Sequence, residues 1–93
     1  MKKRDFKELT NDIDTKIISR TLTEINKIPC VYEIWNWDGI VGDSIIFYKD
    51  DIKIYSDDEI VALACKKLNR KIEEYTISTK DLFTFLNFNF KTN

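Results

Sequence analysis

The segment 31–56 constrains the chain most. It reads as three short β-branched and aromatic runs, residues 31–37, 43–49 and 52–56, separated by loops rich in turn-forming residues. The two glycines of the protein, Gly39 and Gly42, both fall in the first loop, residues 38–42. Asp50-Asp51 supplies the second. A five-residue first loop and a two-residue second one set Trp37 opposite Asp43, Trp35 opposite Ile45 and Tyr32 opposite Tyr48. Side chains alternate across a sheet. One face then carries Val31, Glu33, Trp35, Trp37, Ile45 and Phe47, the natural core side. The other carries Tyr32, Ile34, Asn36, Ser44, Ile46, Tyr48 and Tyr55.

The flanks read as follows. Phe6, Leu9, Ile13, Ile17, Leu22, Ile25 and Ile28 recur mostly at steps of three or four. That spacing predicts an amphipathic helix over about residues 5–28, ended by Pro29. Asp5 with Glu8 forms one possible cap, and Thr10-Asn11-Asp12 a second start. Ser56-Asp57-Asp58-Glu59 is a capping-box start for a second helix, with Ile60, Leu63, Ala64 and Leu68 as its apolar stripe. Lys66, Lys67, Arg70 and Lys71 load its end with positive charge. Residues 72–78 read as a strand. The tail 82–90 carries Phe83, Phe85, Phe88 and Phe90, a strand by propensity with a short helix from Ser78 as the alternative. The expected fold class is therefore α+β: a small antiparallel sheet, a three-strand meander plus one or two C-terminal strands, packed against two helices. Ninety-three residues make a single domain, 1–93.

Composition narrows the chemistry. The net charge is −1, yet residues 33–59 alone come to −6, against +2 before and +3 after them. An acidic middle suits attraction of a basic partner, or a solvated edge that discourages strand pairing. Cys30 and Cys65 are the only cysteines and there is no histidine. That excludes a disulfide framework, a usual zinc site and a histidine-activated nucleophile. The start, Met1-Lys2-Lys3-Arg4, has no apolar run behind it, so neither a signal peptide nor a membrane span is expected, and a cytoplasmic location is. Lysine outnumbers arginine twelve to three and there are fourteen isoleucines against two alanines. This bias suits AT-rich coding, as in low-GC bacteria and their phages.

Neither a phosphate-cradling loop nor a calcium loop is present; Asp57-Asp58-Glu59 lacks the required alternation and glycine. A magnesium nuclease could be drawn from Asp43 or Asp50 with Asp51-Ile52-Lys53, a pattern that a charged turn with one ion pair also explains. Stacking of bases on Tyr32, Tyr48 and Tyr55 is opposed by the acidity of that sheet. The open face points instead to protein binding, with Tyr32, Ile34, Tyr48 and Tyr55 as contacts and Asp50, Asp51, Asp57 and Asp58 as steering charges. The expected function is a small non-enzymatic inhibitor or adaptor of the anti-defence, antitoxin or immunity type. It would occlude a basic surface of a larger, nucleic-acid-handling protein. No catalytic residue, metal or cofactor is expected. The alternatives are a small nucleic-acid-binding protein or metal-dependent nuclease, and a self-associating structural protein. The chain is expected to be a monomer or a homodimer, and carries no family-defining motif.

Overall fold

A computed structural model describes residues 4–10, 13–71 and 75–89. In chain order they form β1 (Thr15–Ile25), β2 (Ile28–Trp37), β3 (Ile40–Tyr48), a 3-10 turn (Lys49–Ile52), α1 (Asp57–Leu68), β4 (Tyr75–Lys80) and β5 (Phe83–Asn89). The five strands make one antiparallel sheet in the order β1-β2-β3-β5-β4. Two tight turns fix its first half. Asn26 and Lys27 join β1 to β2 with φ of 51° and 66°, and Asp38 and Gly39 join β2 to β3 with φ of 48° and 84°. Two successive left-handed residues twist with the strands they connect, which is why such turns dominate short hairpins.

Each face of the sheet has its own cover. On the first, α1 lays Ile60, Val61, Ala64 and Cys65 over Cys30, Ile45, Phe47 and Leu86. On the second, Phe6 and Leu9 lie over Val31, Ile46 and Phe83. Phe47, Ile45, Ile46 and Leu86 are fully buried, each worth about 1.5–3 kcal/mol of removed apolar surface. Among the described residues, the N-terminal segment covers one end of the second face.

The expected pair of helices on a sheet is corrected. Among the described residues there is one α-helix, and the fold is mostly β. The helix expected over residues 5–28 is replaced by an 11-residue strand. Six of those eleven positions (Thr15, Ile17, Ile18, Thr21, Thr23 and Ile25) are β-branched, which stiffens χ1 and favours extended backbone. The turn at Asn26-Lys27 then pairs this strand with β2, and a hairpin ladder outweighs the three-to-four apolar spacing. The third meander strand, residues 52–56, is corrected as well. Asp50 and Asp51 sit in the first turn of a 3-10 helix, and the edge of β3 goes to β5. That strand brings Phe83, Thr84 and Leu86 into burial, more apolar area than Ile52 and Tyr55 offer.

The capping box at Ser56 is formed. Glu59 N–H donates to Ser56 Oγ at 3.2 Å and Ser56 N–H donates to Glu59 Oε1 at 2.9 Å. The tail is β5, paired on both sides. Asn11, Asp12, Ile72 and Phe90, each placed in an element by the sequence reading, lie outside the described residues.

The register of the first hairpins also differs. Trp37 pairs with Ile40, Glu33 with Ser44 and Tyr32 with Ile45. The connection is the two-residue Asp38-Gly39 turn rather than a five-residue loop. A slip of three residues, being odd, exchanges the faces of β3 relative to β2. Tyr32 now shares the helix-covered face with Ile45, whereas Tyr48, three residues further along β3, points to the other.

Candidate functional site

The exchange of faces gathers a groove on the uncovered part of the second face. Trp35, Trp37 and Glu33 come from β2, Ser44 from β3, Phe85 and Asn87 from β5, and Thr76, Ser78 and Lys80 from β4. Thr10 and Thr15 complete the rim around about 320 Å³. Register explains the set: Glu33 is opposite Ser44, Ser44 opposite Asn87, Asn87 opposite Thr76, and Phe85 opposite Ser78. Cross-strand partners share a face.

A hydrogen-bond chain runs across four strands along the floor. The Trp35 indole N–H donates to Ser44 Oγ at 2.7 Å, and the Ser44 hydroxyl donates to Asn87 Oδ1 at 2.6 Å. The Asn87 amide donates to Thr76 Oγ1 at 3.3 Å. The indole ring lies over Gly42, its cross-strand partner, where a Cβ would strike it and would come 2.6 Å from the Phe88 carbonyl oxygen. Gly42 is thus a seat for Trp35 in mid-strand, and Gly39 alone serves the turn. Glu33 is buried and accepts from Arg20 Nε at 2.7 Å, so its charge is compensated in place. At the hairpin tip Trp37 and its partner Ile40 are 50% and 44% exposed. The groove therefore combines aromatic walls, a pre-ordered polar floor and an apolar rim.

The residues expected at a partner site are dispersed. Tyr32 is half-buried on the helix-covered face, where its hydroxyl donates to Asp43 Oδ2 at 2.6 Å. Burial and that carboxylate push its phenol up to about 12. Ile34 is on the same face, half-buried and paired with Asp43. Tyr48 is on the opposite face between Phe6 and Phe83, 4.8 Å from each ring centroid. The Arg4 guanidinium stands 4.7 Å over it, and its hydroxyl donates to the Asp5 carbonyl. Burial and the Asp5 carboxylate raise this phenol above its ordinary value. Tyr55 packs against the core beneath α1, its hydroxyl accepting from Asn26 Nδ2 at 3.3 Å. Asp50 pairs with Lys53 at 3.1 Å, and Lys53 holds its carboxyl below the usual range. Asp51 receives Arg4 Nη2 at 2.5 Å. Asp57 and Asp58 are exposed in the first turn of α1, favourable at the positive end of the helix dipole. The structure brings Tyr48, Asp50 and Asp51 together at the end of β3. It does not place the three tyrosines on one surface.

Tyr55 and Asp57 line a second cavity of about 280 Å³ at the start of α1, together with Thr79 and Thr84. The pattern that sequence reasoning missed is the tryptophan pair, assigned to the core. Recognition of Asp38-Gly39 as a two-residue hairpin turn would have found it.

Neither thiol is poised for chemistry. Cys30 and Cys65 are buried and free, and burial pushes Cys30 up to about 11 and raises Cys65. The thiolate is the nucleophile, so such shifts oppose reaction. Asp43, one candidate metal ligand, is fully buried and taken by Arg70 Nη1 at 2.5 Å. Among the described residues no three His, Cys, Asp or Glu side chains converge to hold a metal, and no helix is long and apolar enough to cross a membrane. No family model, no curated protein and no solved structure matches the chain.

Proposed function

We propose that the chain is a small protein-binding domain, an inhibitor or adaptor that acts by occupying its partner rather than by catalysis. The partner docks on the uncovered part of the second face, around Trp37. The observation that carries this reading is the exposed cross-strand pair Trp37 and Ile40 at the mouth of an aromatic groove. A half-exposed tryptophan beside exposed isoleucine leaves apolar area in water that a partner would remove, and tryptophan is the residue most enriched among binding hot spots. Serine, threonine and asparagine around it are the adaptable polar contacts of binding surfaces. The hydrogen-bond chain from Trp35 to Thr76 orders the floor in advance, which lowers the entropy cost of binding. Asp38, exposed in the turn that joins Trp37 to Ile40, sets a carboxylate beside them that attracts a partner with a basic surface during approach.

The test begins with affinity capture from the cells that encode the chain, followed by titration of the purified pair. A Trp37→Ala, Ile40→Ala double variant should keep the thermal transition and bind at least about thirtyfold more weakly, the loss of one hot spot of about 2 kcal/mol. Asp38→Asn, at the exposed turn between Trp37 and Ile40, should slow association and leave dissociation unchanged. Full affinity in the Trp37 double variant rejects the reading. Salt-sensitive retention of single-stranded nucleic acid by the native chain, lost in that variant, would replace it with a nucleic-acid function.

A further inference from the structure

From the outer edge of β1, we infer that two copies of the chain pair antiparallel through residues 19–25, with Leu22 on the two-fold axis. Among the described residues β1 has β2 on one side and no strand on the other. It is 11 residues long, and Leu22 is 65% exposed. A long strand edge with apolar side chains is a template for another strand. The opposite edge, β4, is six residues long and ends in Lys80, the short and charged form that discourages pairing.

Geometry selects the register. Ile25 and Ile28 close the two-residue Asn26-Lys27 turn, so they form a hydrogen-bonded pair and aim their backbone groups inward. Alternation then turns the N–H and C=O groups of Arg20, Leu22 and Glu24 outward. Pairing with β2 is regular from Ser19 to Ile25 and is interrupted by a bulge between Ile17 and Ser19, which ends the usable ladder at that point. A two-fold axis through Leu22 sets Leu22 against its own copy and Arg20 against the second copy's Glu24, twice. All three side chains lie on the second face, opposite Glu33, Val31 and Pro29 of β2. A shift of the axis to Thr21 would put Arg20 against leucine, and a shift to Thr23 would put Glu24 against it. Only the Leu22 axis joins like with like and opposite with opposite.

The charges are placed to receive the partner. Glu24 is exposed and makes no ion pair among the described residues. The Arg20 guanidinium holds Glu33 through Nε and donates through Nη1 to the Leu9 carbonyl at 3.4 Å, and its Nη2 donors can bridge to a carboxylate on the next strand. A Glu33–Arg20–Glu24 row would then cross from one copy to the other. A ladder this short buries little area, so the dimer is concentration-dependent. None of Arg20, Leu22 and Glu24 lines the groove, so the dimer stands or falls apart from the proposed partner site.

Disulfide trapping tests the axis. Directly opposed residues have Cα atoms about 5.5 Å apart, within disulfide reach, whereas residues four positions out of register are about 13 Å apart. Under mild oxidation a Leu22→Cys variant should give a covalent dimer in high yield, and a Glu24→Cys variant should give little. The native Cys30 and Cys65 are buried and stay out of the reaction. Sedimentation equilibrium of the unmodified chain should show a dimer growing with concentration, and Glu24→Arg should weaken it at least tenfold without lowering the thermal transition. A native chain that stays monomeric at its solubility limit, or equal cross-linking at positions 22 and 24, overturns the inference.

Discussion

Arg70 Nη1 lies 2.5 Å from Asp43 Oδ1, joining the segment after the C-terminus of α1 to the central strand β3. Asp43 is fully buried, and its other oxygen accepts from the Tyr32 hydroxyl at 2.6 Å. Arg70 also stands over the Phe88 ring of β5 at 5.5 Å. Three strands and the helix end thus meet at one carboxylate. A buried charge persists only where partners replace its water, so this cluster fixes the position of α1 on the sheet.

The cluster makes unequal demands on its members. Arg70→Met leaves a buried carboxylate held by one phenol and should cost about 3–5 kcal/mol. Tyr32→Phe removes one donor to a charged acceptor and should cost about 1.5–3 kcal/mol. Asp43→Asn should cost less in the Arg70→Met background than in the native chain, because the carboxylate is then already unpaired. Urea denaturation of the native chain and the four variants measures each term, and additive losses for Arg70→Met and Asp43→Asn would show that the pair is not coupled.

Stability should fall at alkaline pH. Cys30 titrates at about 11 in the fold against an ordinary 9.0, and Tyr32 at about 12 against 10.0. Burial is the main cause in both. The folded chain therefore keeps protons that the unfolded chain releases, and unfolding is favoured as pH rises. The Cys30 contribution is whole below pH 9.0 and gone by about 11. That of Tyr32 is whole below pH 10.0 and lost toward 12. The urea midpoint, followed from neutral pH upward, should begin to fall near pH 9, and Cys30→Ala should delay that onset. A midpoint unchanged up to pH 11 would contradict the burial of both groups.

Much of the fold was legible wherever local chemistry and tertiary demand agree. The Ser56–Glu59 box predicts its helix because both halves of the cap are local. Phe83, Phe85 and Phe88 announce a packed segment because so many phenylalanines in a short stretch must be buried, and pairing with both β3 and β4 decides for strand over the short helix. Residues 15–25 read as helix because Ile13, Ile17, Leu22, Ile25 and Ile28 recur mostly at helical steps, while Thr21, Thr23 and Ile25 satisfy a strand period. The decision lies in pairing with β2, which no local window contains. The site was hidden by the same kind of error. With Asp38-Gly39 read as part of a longer loop, every residue of β3 changes face, the tyrosines appear together and the tryptophans disappear into the core.

The two glycines should respond differently to alanine. At Gly39 an added Cβ meets nothing within 4 Å, but the backbone φ is +84°. Gly39→Ala should cost about 1 kcal/mol of turn strain and leave the groove intact. At Gly42 the Cβ would strike the Trp35 indole and the Phe88 carbonyl. Gly42→Ala should cost about 1–3 kcal/mol and push the indole off Ser44. Tryptophan fluorescence separates them: the emission maximum should shift for Gly42→Ala and stay put for Gly39→Ala.

The N-terminal segment offers a contrast between packing and charge. Leu9 is 5% exposed and sits over Val31, Ile46 and Phe83. Arg4 and Asp51 form a close ion pair at the surface, their side chains 38% and 18% exposed. Removing a buried leucine side chain forfeits transfer energy and leaves a cavity, so Leu9→Ala should cost about 2–4 kcal/mol. Solvent screens the ion pair, and Arg4→Met should cost much less than Leu9→Ala, with a smaller effect in high salt. The Tyr48 ring loses its cation in that variant but keeps Phe6 and Phe83. Thermal denaturation of both variants orders the two effects. A larger loss for Arg4→Met than for Leu9→Ala would mean that charge, rather than the apolar cover, holds this segment on the sheet.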